Sequence, residues 1–174
     1  MRHKNLRLIT LLLLGLGFMV LQAQTTGTFT DSRDGKEYKT VKIGRKVWMA
    51  ENLAYNHSSY NNDSINVPVL GYKYNWETAC DVCPEGWHLP SMNEYKALYY
   101  RFAIGIDESL QKRNAYFNLI AGGSSGFSAL TNAYWSSTKK GKTEAYILSF
   151  NQYQKCYLYL CNRMDFLSVR CVKD

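Results

Sequence analysis

Between residues 29 and 49, apolar and polar side chains alternate with the period of two that is typical of strands burying one face. Asp34-Gly35 is a strong hairpin signal near the start of this segment, because both residues tolerate the backbone of a tight turn. The alternation runs from Tyr38 to Ile43, Gly44 marks a second turn, and Val47-Trp48-Met49 forms the next strand. The pattern predicts a unit of short strands joined by tight turns.

Two helices are predicted in the middle of the chain. Asn75 can accept a hydrogen bond from a free N–H group at the start of a short helix over 76–82, which Pro84 stops. Ser91 and Glu94 have the spacing of a capping box, which predicts the start of a second helix. The apolar positions of that helix recur at helical spacing and predict a buried face, formed by Met92, Tyr95, Leu98, Tyr99 and Phe102.

The second half of the chain is predicted to be mostly strands. Residues 109–119 fit either a third, weaker helix or a loop, and the glycine-rich run 122–126 indicates a flexible loop. Strands follow over 133–138, 145–150, 156–160 and 166–172, which read as an antiparallel meander, with a solvated turn expected at 139–142. In the third strand, Tyr157 and Tyr159 share one face, and Leu158 and Leu160 share the other.

The N-terminus has the features of a secretion signal. Arg2, Lys4 and Arg7 precede a nearly continuous apolar run from Leu8 to Leu21, and Ala23 offers a cleavage point. The run is shorter than the roughly 20 residues of a membrane span. We therefore expect a signal peptide at 1–23, a single domain over 24–174, no membrane span after cleavage, and a protein that is secreted, periplasmic or held at the cell surface.

Charge argues against a nucleic-acid partner. The whole chain carries a net charge of +7, and removing the three basic residues of the signal leaves 18 basic and 14 acidic residues, a net charge of +4. The remaining basic residues are scattered along the chain, whereas a nucleic-acid surface requires a concentrated stripe. No feature of the sequence implies a cofactor, and we expect a monomer.

The five cysteines, all after the signal, leave several pairings open: Cys80, Cys83, Cys156, Cys161 and Cys171. Disulfides are the default in an exported protein, and an odd number leaves at least one thiol free or paired between chains. A bond between Cys83 and Cys171 is attractive because it closes a long loop. Alternatives are a zinc site formed by Cys80, Cys83, Cys156 and Cys161, or a redox pair formed by Cys80 and Cys83.

Several runs, spread in order over nearly all of the mature chain, resemble a known family. They include residues 34–44, 47–53 and 74–79, the stretch Cys-Pro-Glu-Gly-Trp-His-Leu-Pro-Ser at 83–91, and residues 125–130, 134–138 and 168–172. Together they resemble the Fibrobacter succinogenes major paralogous domain found in secreted bacterial proteins. The resemblance departs after residue 130, where the usual Gly-Gly-Tyr-Arg region is shortened, and at Tyr95, which replaces the usual tryptophan of the capped helix.

The resemblance implies an α+β, C-type lectin-like fold. In that fold, two helices pack on a twisted antiparallel sheet, and a disulfide joins the first helix to the last strand, which supports Cys83–Cys171. The aromatic and imidazole side chains of the matching runs are then expected to be framework, namely Trp48, Trp76, Trp87, His88 and Trp135. The calcium-dependent sugar signatures of animal C-type lectins and the catalytic cysteine pair of formylglycine-generating enzymes are absent from the sequence.

The function expected from this fold is non-catalytic binding of an extracellular protein or glycan. Lectin-like scaffolds display variable side chains from their last strands and loops, which here are Tyr153, Gln154, Tyr157, Tyr159, Asn162, Arg163 and Asp165. Tyrosine and asparagine give contact area and hydrogen bonds at low entropic cost. One alternative is an enzyme, hydrolytic or similar to formylglycine-generating enzymes, which a cluster of His88 with a carboxylate would favour. A structural envelope component is another.

Overall fold

The computed structural model describes residues 24–57, 64–67 and 70–174. The predicted signal peptide at 1–23 lies outside the described residues. The helices are α1 (Trp76–Asp81), α2 (Met92–Phe102) and α3 (Glu108–Leu119). The strands are β1 (Thr26–Thr30), β2 (Glu37–Ile43), β3 (Lys46–Met49), β4 (Ser64–Val67), β5 (Gly71–Tyr74), β6 (Trp87–His88), β7 (Ala133–Lys140), β8 (Glu144–Phe150), β9 (Cys156–Asn162), β10 (Leu167–Ser168) and β11 (Val172–Lys173).

The α+β class is confirmed, but the strands form two sheets rather than the single twisted sheet that was predicted. The smaller sheet has the order β1-β2-β3-β11-β6, and all its pairs are antiparallel. The larger sheet has the order β4-β5-β10-β7-β8-β9. Its strands β10 and β7 are parallel, so the predicted purely antiparallel arrangement is also wrong.

The closing segment explains why one sheet becomes two. Residues 166–172 were predicted as one strand, but they divide into β10 in the larger sheet and β11 in the smaller sheet. Between these strands, the carbonyl of Val169 accepts a hydrogen bond from the N–H of Leu53 at 2.9 Å, and that of Cys171 accepts from Met49 at 3.0 Å. This segment therefore connects the two sheets through its backbone.

The described residues contain three helices, where the predicted fold had two. The first two begin as predicted, because Asn75 accepts from the N–H of Thr78 and Ser91 forms a complete capping box with Glu94. The additional helix, α3, is capped by Asp107, whose carboxylate accepts from the N–H of Leu110 at 2.8 Å. Its weak apolar pattern left the sequence ambiguous, since only two of its residues, Ala115 and Leu119, are buried.

The end of β7 also differs from the prediction. β7 continues through Lys139 and Lys140, which were expected to lie in a solvated turn. The turn to β8 lies instead at Gly141, which has a φ of 67°, a backbone conformation that glycine adopts without steric cost. Lysine side chains can point into water from a strand, so their charge did not mark its end.

Two apolar clusters fill the interior. One lies where α2 and α3 pack on the sheets and contains the buried Trp48, Tyr95 and Tyr134. The other lies around α1 and contains the buried Trp135 and Cys171. Cys171 forms a disulfide with a cysteine 88 positions earlier, Cys83, which lies just after α1. The bond thus joins the connection between the first two helices to the segment that connects the sheets.

Candidate functional site

Strand β9 lies at one edge of the larger sheet, with only β8 beside it. The N–H of Arg163 donates to the carbonyl of Thr143 at 2.9 Å, in line with the β8–β9 register. Alternate residues of an antiparallel strand direct their backbone groups to opposite sides. Arg163 directs its backbone groups towards β8, and so do the residues at even distances from it, such as Tyr159. Leu158 and Leu160 lie at odd distances from Arg163, so their N–H and C=O groups point away from β8. No other described segment forms a hydrogen bond with these outward groups.

Large side chains stand in water around this edge. Tyr159, within β9, is 69% exposed, and Tyr153, in the turn before it, is 72% exposed. Met164, in the turn after it, is 76% exposed. We call this region, β9 with its two flanking turns at 151–155 and 162–165, the β9 edge. Large apolar side chains of this exposure next to unpaired backbone are the features of a recognition surface.

Both turns of the β9 edge are held by their own asparagine. Asn151 accepts with its side-chain oxygen from the N–H groups of Tyr153 at 3.0 Å and Lys155 at 3.1 Å. Asn162 does the same for Met164 at 3.0 Å. Such side-chain hydrogen bonds to nearby backbone stabilise tight turns. The exposed Tyr153 and Met164 are therefore carried on ordered backbone, and Met164 is a member of this surface that the sequence did not single out.

Of the remaining residues that were predicted to face a ligand, some are exposed to solvent and others contact their own chain. Gln154 and Asp165 are exposed in the turns, although the carboxylate of Asp165 accepts from the thiol of Cys161 at 3.0 Å. Tyr157 is half-buried, with Lys112 Nζ 4.9 Å from its ring centre and its hydroxyl accepting from Asn151 at 3.1 Å. Tyr157 thus contacts its own chain more than solvent.

Arg163 is bound by three groups of its own chain. Its guanidinium lies 4.1 Å from the ring centre of Trp76, forms an ion pair with Glu77, and donates to the carbonyl of Lys142 at 2.9 Å. Arg163 also accepts, through its backbone carbonyl, from the N–H of Trp76. The residue therefore fastens the end of β9 to the start of α1, and its charge is largely neutralised within the chain.

His88, expected to be framework, lies in a half-exposed cluster of charges. Its Nε2 is 2.9 Å from Glu94 and its Nδ1 is 2.5 Å from Asp174. Partial burial alone would raise the pKa of Glu94, but hydrogen bonds from Ser91, His88 and Lys46 outweigh it and lower the pKa to about 2. The structure thus contains the cluster of His88 with a carboxylate that would favour an enzyme. However, both ring nitrogens face carboxylates of their own chain, whereas a general base directs one nitrogen at its substrate.

The three cysteines outside the disulfide are not activated thiols. Burial raises the pKa of Cys80 to about 11, with a smaller contribution from Asp81. Burial and the hydrogen bond to Asp165 raise the pKa of Cys161 to about 12, and burial also raises the pKa of Cys156. All three thiols stay protonated near neutral pH, whereas a nucleophilic cysteine requires a lowered pKa.

The zinc hypothesis does not survive the structure. Cys83, which it required as a ligand, is in the disulfide. Across residues 24–57, 64–67 and 70–174, no three His, Cys, Asp or Glu side chains are arranged to hold a metal ion.

No helix within the described residues 24–57, 64–67 and 70–174 is long and apolar enough to cross a bilayer.

Sequence reasoning also missed a buried cation in the closing segment. Arg170 is fully buried, with its guanidinium 4.6 Å from the ring centre of Phe127 and 5.1 Å from that of Tyr134. It donates to the side-chain oxygen of Asn52 at 2.6 Å and to the carbonyl of Ser128 at 3.2 Å. Burial lowers the pKa of Arg170, but an arginine remains charged at neutral pH. Its one signal in the sequence was a charge inside an apolar segment.

These features define a small disulfide-linked α+β domain. Its closing segment is largely buried, and its β9 edge has no neighbouring strand of the described chain on the outer side. Comparison with family models finds the Fibrobacter succinogenes major domain over residues 41–129. The chain belongs to this family, as its resemblance suggested. Searches of curated proteins and of solved structures found no match.

Proposed function

We propose that this protein is an exported, non-catalytic binding module with a C-type lectin-like fold, which binds an extended segment of a partner protein along the β9 edge. The observation that carries the proposal is the row of outward backbone groups at Leu158 and Leu160, flanked by the exposed Tyr153, Tyr159 and Met164. An extended peptide that joins a sheet edge gains hydrogen bonds from the backbone and specificity from side-chain contacts.

The lectin-like assignment is supported by the position of the disulfide, which joins the chain after α1 to the segment before the last strand. Export is supported by the sequence features of the signal and by the disulfide itself, since such bonds persist in oxidising compartments. The absence of catalysis is supported by the raised pKa values of the free thiols and by the engagement of both His88 nitrogens.

Charge favours a different protein over a second copy of this chain as the occupant. After removal of the signal each copy carries a net charge of +4, so two copies brought together at this edge repel each other. The same argument makes a role as a structural envelope component less favourable, if that role requires the β9 strands of two copies to pair.

A glycan is the second candidate ligand. The exposed rings of Tyr153 and Tyr159 offer flat apolar surfaces on which a sugar ring could lie. A glycan would need these rings but not the backbone groups of Leu158 and Leu160. The two candidates therefore depend on different atoms of the same surface.

The test compares Leu160→Pro with Leu160→Ala on arrays of short synthetic peptides and of glycans. Both variants lose the leucine side chain, but only proline removes the outward N–H. An edge strand tolerates a proline whose missing N–H would face solvent. We expect peptide binding by the wild type and by Leu160→Ala, and its loss in Leu160→Pro.

Equal peptide binding by the two variants, or no peptide binding by the wild type, would contradict the proposal. Glycan binding that survives Leu160→Pro but is lost in Tyr159→Ala would establish the second candidate instead. Size-exclusion chromatography of the wild type would detect pairing between copies.

A further inference from the structure

A groove separate from the β9 edge lies between the turn that joins β2 to β3 and the outer face of α2. It has a volume of about 400 Å³, which falls within the roughly 300–1,000 Å³ of small-molecule sites. Its floor is formed by the outer atoms of Ile43, Trp48 and Leu98, all largely buried. The groove is thus an apolar cleft of the size that holds a small organic molecule.

Two cations stand at the rim of this groove without an anionic partner. Arg45, from the β2–β3 turn, and Arg101, from the last turn of α2, are both exposed lining residues. Neither forms an ion pair or hydrogen bond with any residue in the part of the chain that the structure describes. A Cβ atom built on Gly44, the neighbour of Arg45, would lie 3.7 Å from Arg101 Nη1, so the guanidinium of Arg101 reaches the turn that carries Arg45.

The other charges of the groove neutralise one another. Lys46 Nζ lies 3.1 Å from Glu94, whose carboxylate also accepts from the N–H of Ser91 at 2.8 Å and approaches His88 at 2.9 Å. The carboxylate of Glu94 is therefore paired with its own neighbours and forms an ion pair with neither arginine. The two unpaired cations stand at one rim above a largely apolar lining, so the groove offers one position for an anionic group.

We propose that this groove binds a small organic monocarboxylate. The apolar body of the ligand lies over Trp48 and Leu98, and its carboxylate lies between Arg45 and Arg101. A guanidinium matches a carboxylate with two parallel N–H groups, so two of them on one rim provide a specific clamp for that group. The site shares no residue with the β9 edge, so either proposal can fail without the other.

The experiment titrates the purified protein by calorimetry with four probes that separate charge from body: hexanoate, hexanol, acetate and inorganic phosphate. Hexanoate has both features, hexanol has only the apolar body, and acetate and phosphate have only the charge. We expect hexanoate to bind at least tenfold more tightly than the other three. If acetate or phosphate binds as tightly as hexanoate, the surface recognises charge alone and the proposal is overturned. The proposal is also overturned if hexanol binds as tightly as hexanoate, or if hexanoate does not bind.

Three variants locate the site. Arg45→Gln and Arg101→Gln should each weaken hexanoate binding about fivefold to tenfold, since each removes a charge-assisted hydrogen bond. Ala97→Phe should abolish binding by filling the groove, because Ala97 lies in its wall. Lys96→Gln is the matched control, since Lys96 is exposed on the same helix but does not line the groove.

Arg45 and Arg101 are exposed, so these substitutions should leave the melting temperature unchanged. Unaltered hexanoate affinity in both arginine variants would overturn the proposed site. An equal loss of affinity in Lys96→Gln would do the same, because it would reveal a general charge effect.

Discussion

The closing segment and the β9 edge lie close together in sequence, yet their backbone polar groups are arranged in opposite ways. In the closing segment, the carbonyls of Val169 and Cys171 accept from the N–H groups of Leu53 and Met49, and Arg170 lies between two aromatic rings. At the β9 edge, the outward groups of Leu158 and Leu160 have no partner in the described chain. We infer that the chain acts as framework where its backbone groups are paired within the molecule, and we expect binding where they are left open.

The largest effect should come from the disulfide, which belongs to the framework side of this comparison. We expect Cys83→Ala with Cys171→Ala to lower the free energy of unfolding by about 2–5 kcal/mol, because the bond restricts a long loop in the unfolded chain. Chemical denaturation measures the loss. The double variant Cys80→Ala with Cys161→Ala is the control, since these thiols are unpaired, and an equal loss there would remove the special role of the Cys83–Cys171 bond.

The capped start of α2 should show a smaller, pH-dependent effect. Glu94 has a folded-state pKa of about 2 against an ordinary value of 4.5. Its contribution is therefore complete above pH 4.5 and is lost as the pH falls towards 2. The shift corresponds to about 3 kcal/mol. We expect a contribution on the order of 2 kcal/mol, because Glu94 is partly exposed and solvent screens its interactions. The matched variant is Glu94→Gln, which keeps the capping-box spacing.

Denaturation of both proteins across this pH range measures the difference. The stability gap between the wild type and Glu94→Gln should narrow steadily as the pH falls. A gap that stays constant would contradict the account of Glu94.

Tyr159 should show the smallest effect on stability. Because its side chain is 69% exposed, we expect Tyr159→Ala to change the free energy of unfolding by less than about 0.5 kcal/mol. Binding at the β9 edge should nevertheless weaken strongly. Trp135→Ala is the contrasting framework variant, since Trp135 is fully buried and donates to the carbonyl of Tyr74 at 2.7 Å. A Tyr159→Ala variant that loses stability as Trp135→Ala does would erase the contrast between the two regions.

The features that could be predicted from the sequence are those that local chemistry determines. Asn75, and Ser91 with Glu94, start helices because their side chains reach backbone N–H groups within the same turn. Alternation before and after a change of phase marked Tyr38 and Val41 as buried residues of β2, although they lie on opposite faces of the strand and in different apolar clusters. The exposed Tyr153 and Tyr159 were among the residues expected to face a ligand.

The features that could not be predicted depend on partners that are distant in sequence. Nothing near residues 166–172 reveals that they divide between two sheets, since their hydrogen-bond partners lie at Met49 and Leu53. The enclosure of Arg170 depends on rings from two other segments, and the groove depends on Arg45 meeting the end of α2. Predicting them would have required the packing of the whole chain.

Hydrogen exchange of the backbone amides of β9 tests the central claim most directly. If the edge is open, the amides of Leu158 and Leu160 exchange much faster than those of Tyr157 and Tyr159, which face β8, and a bound peptide protects them. Slow exchange of all four amides in the free protein would contradict the account, because it would mean that the edge is already covered.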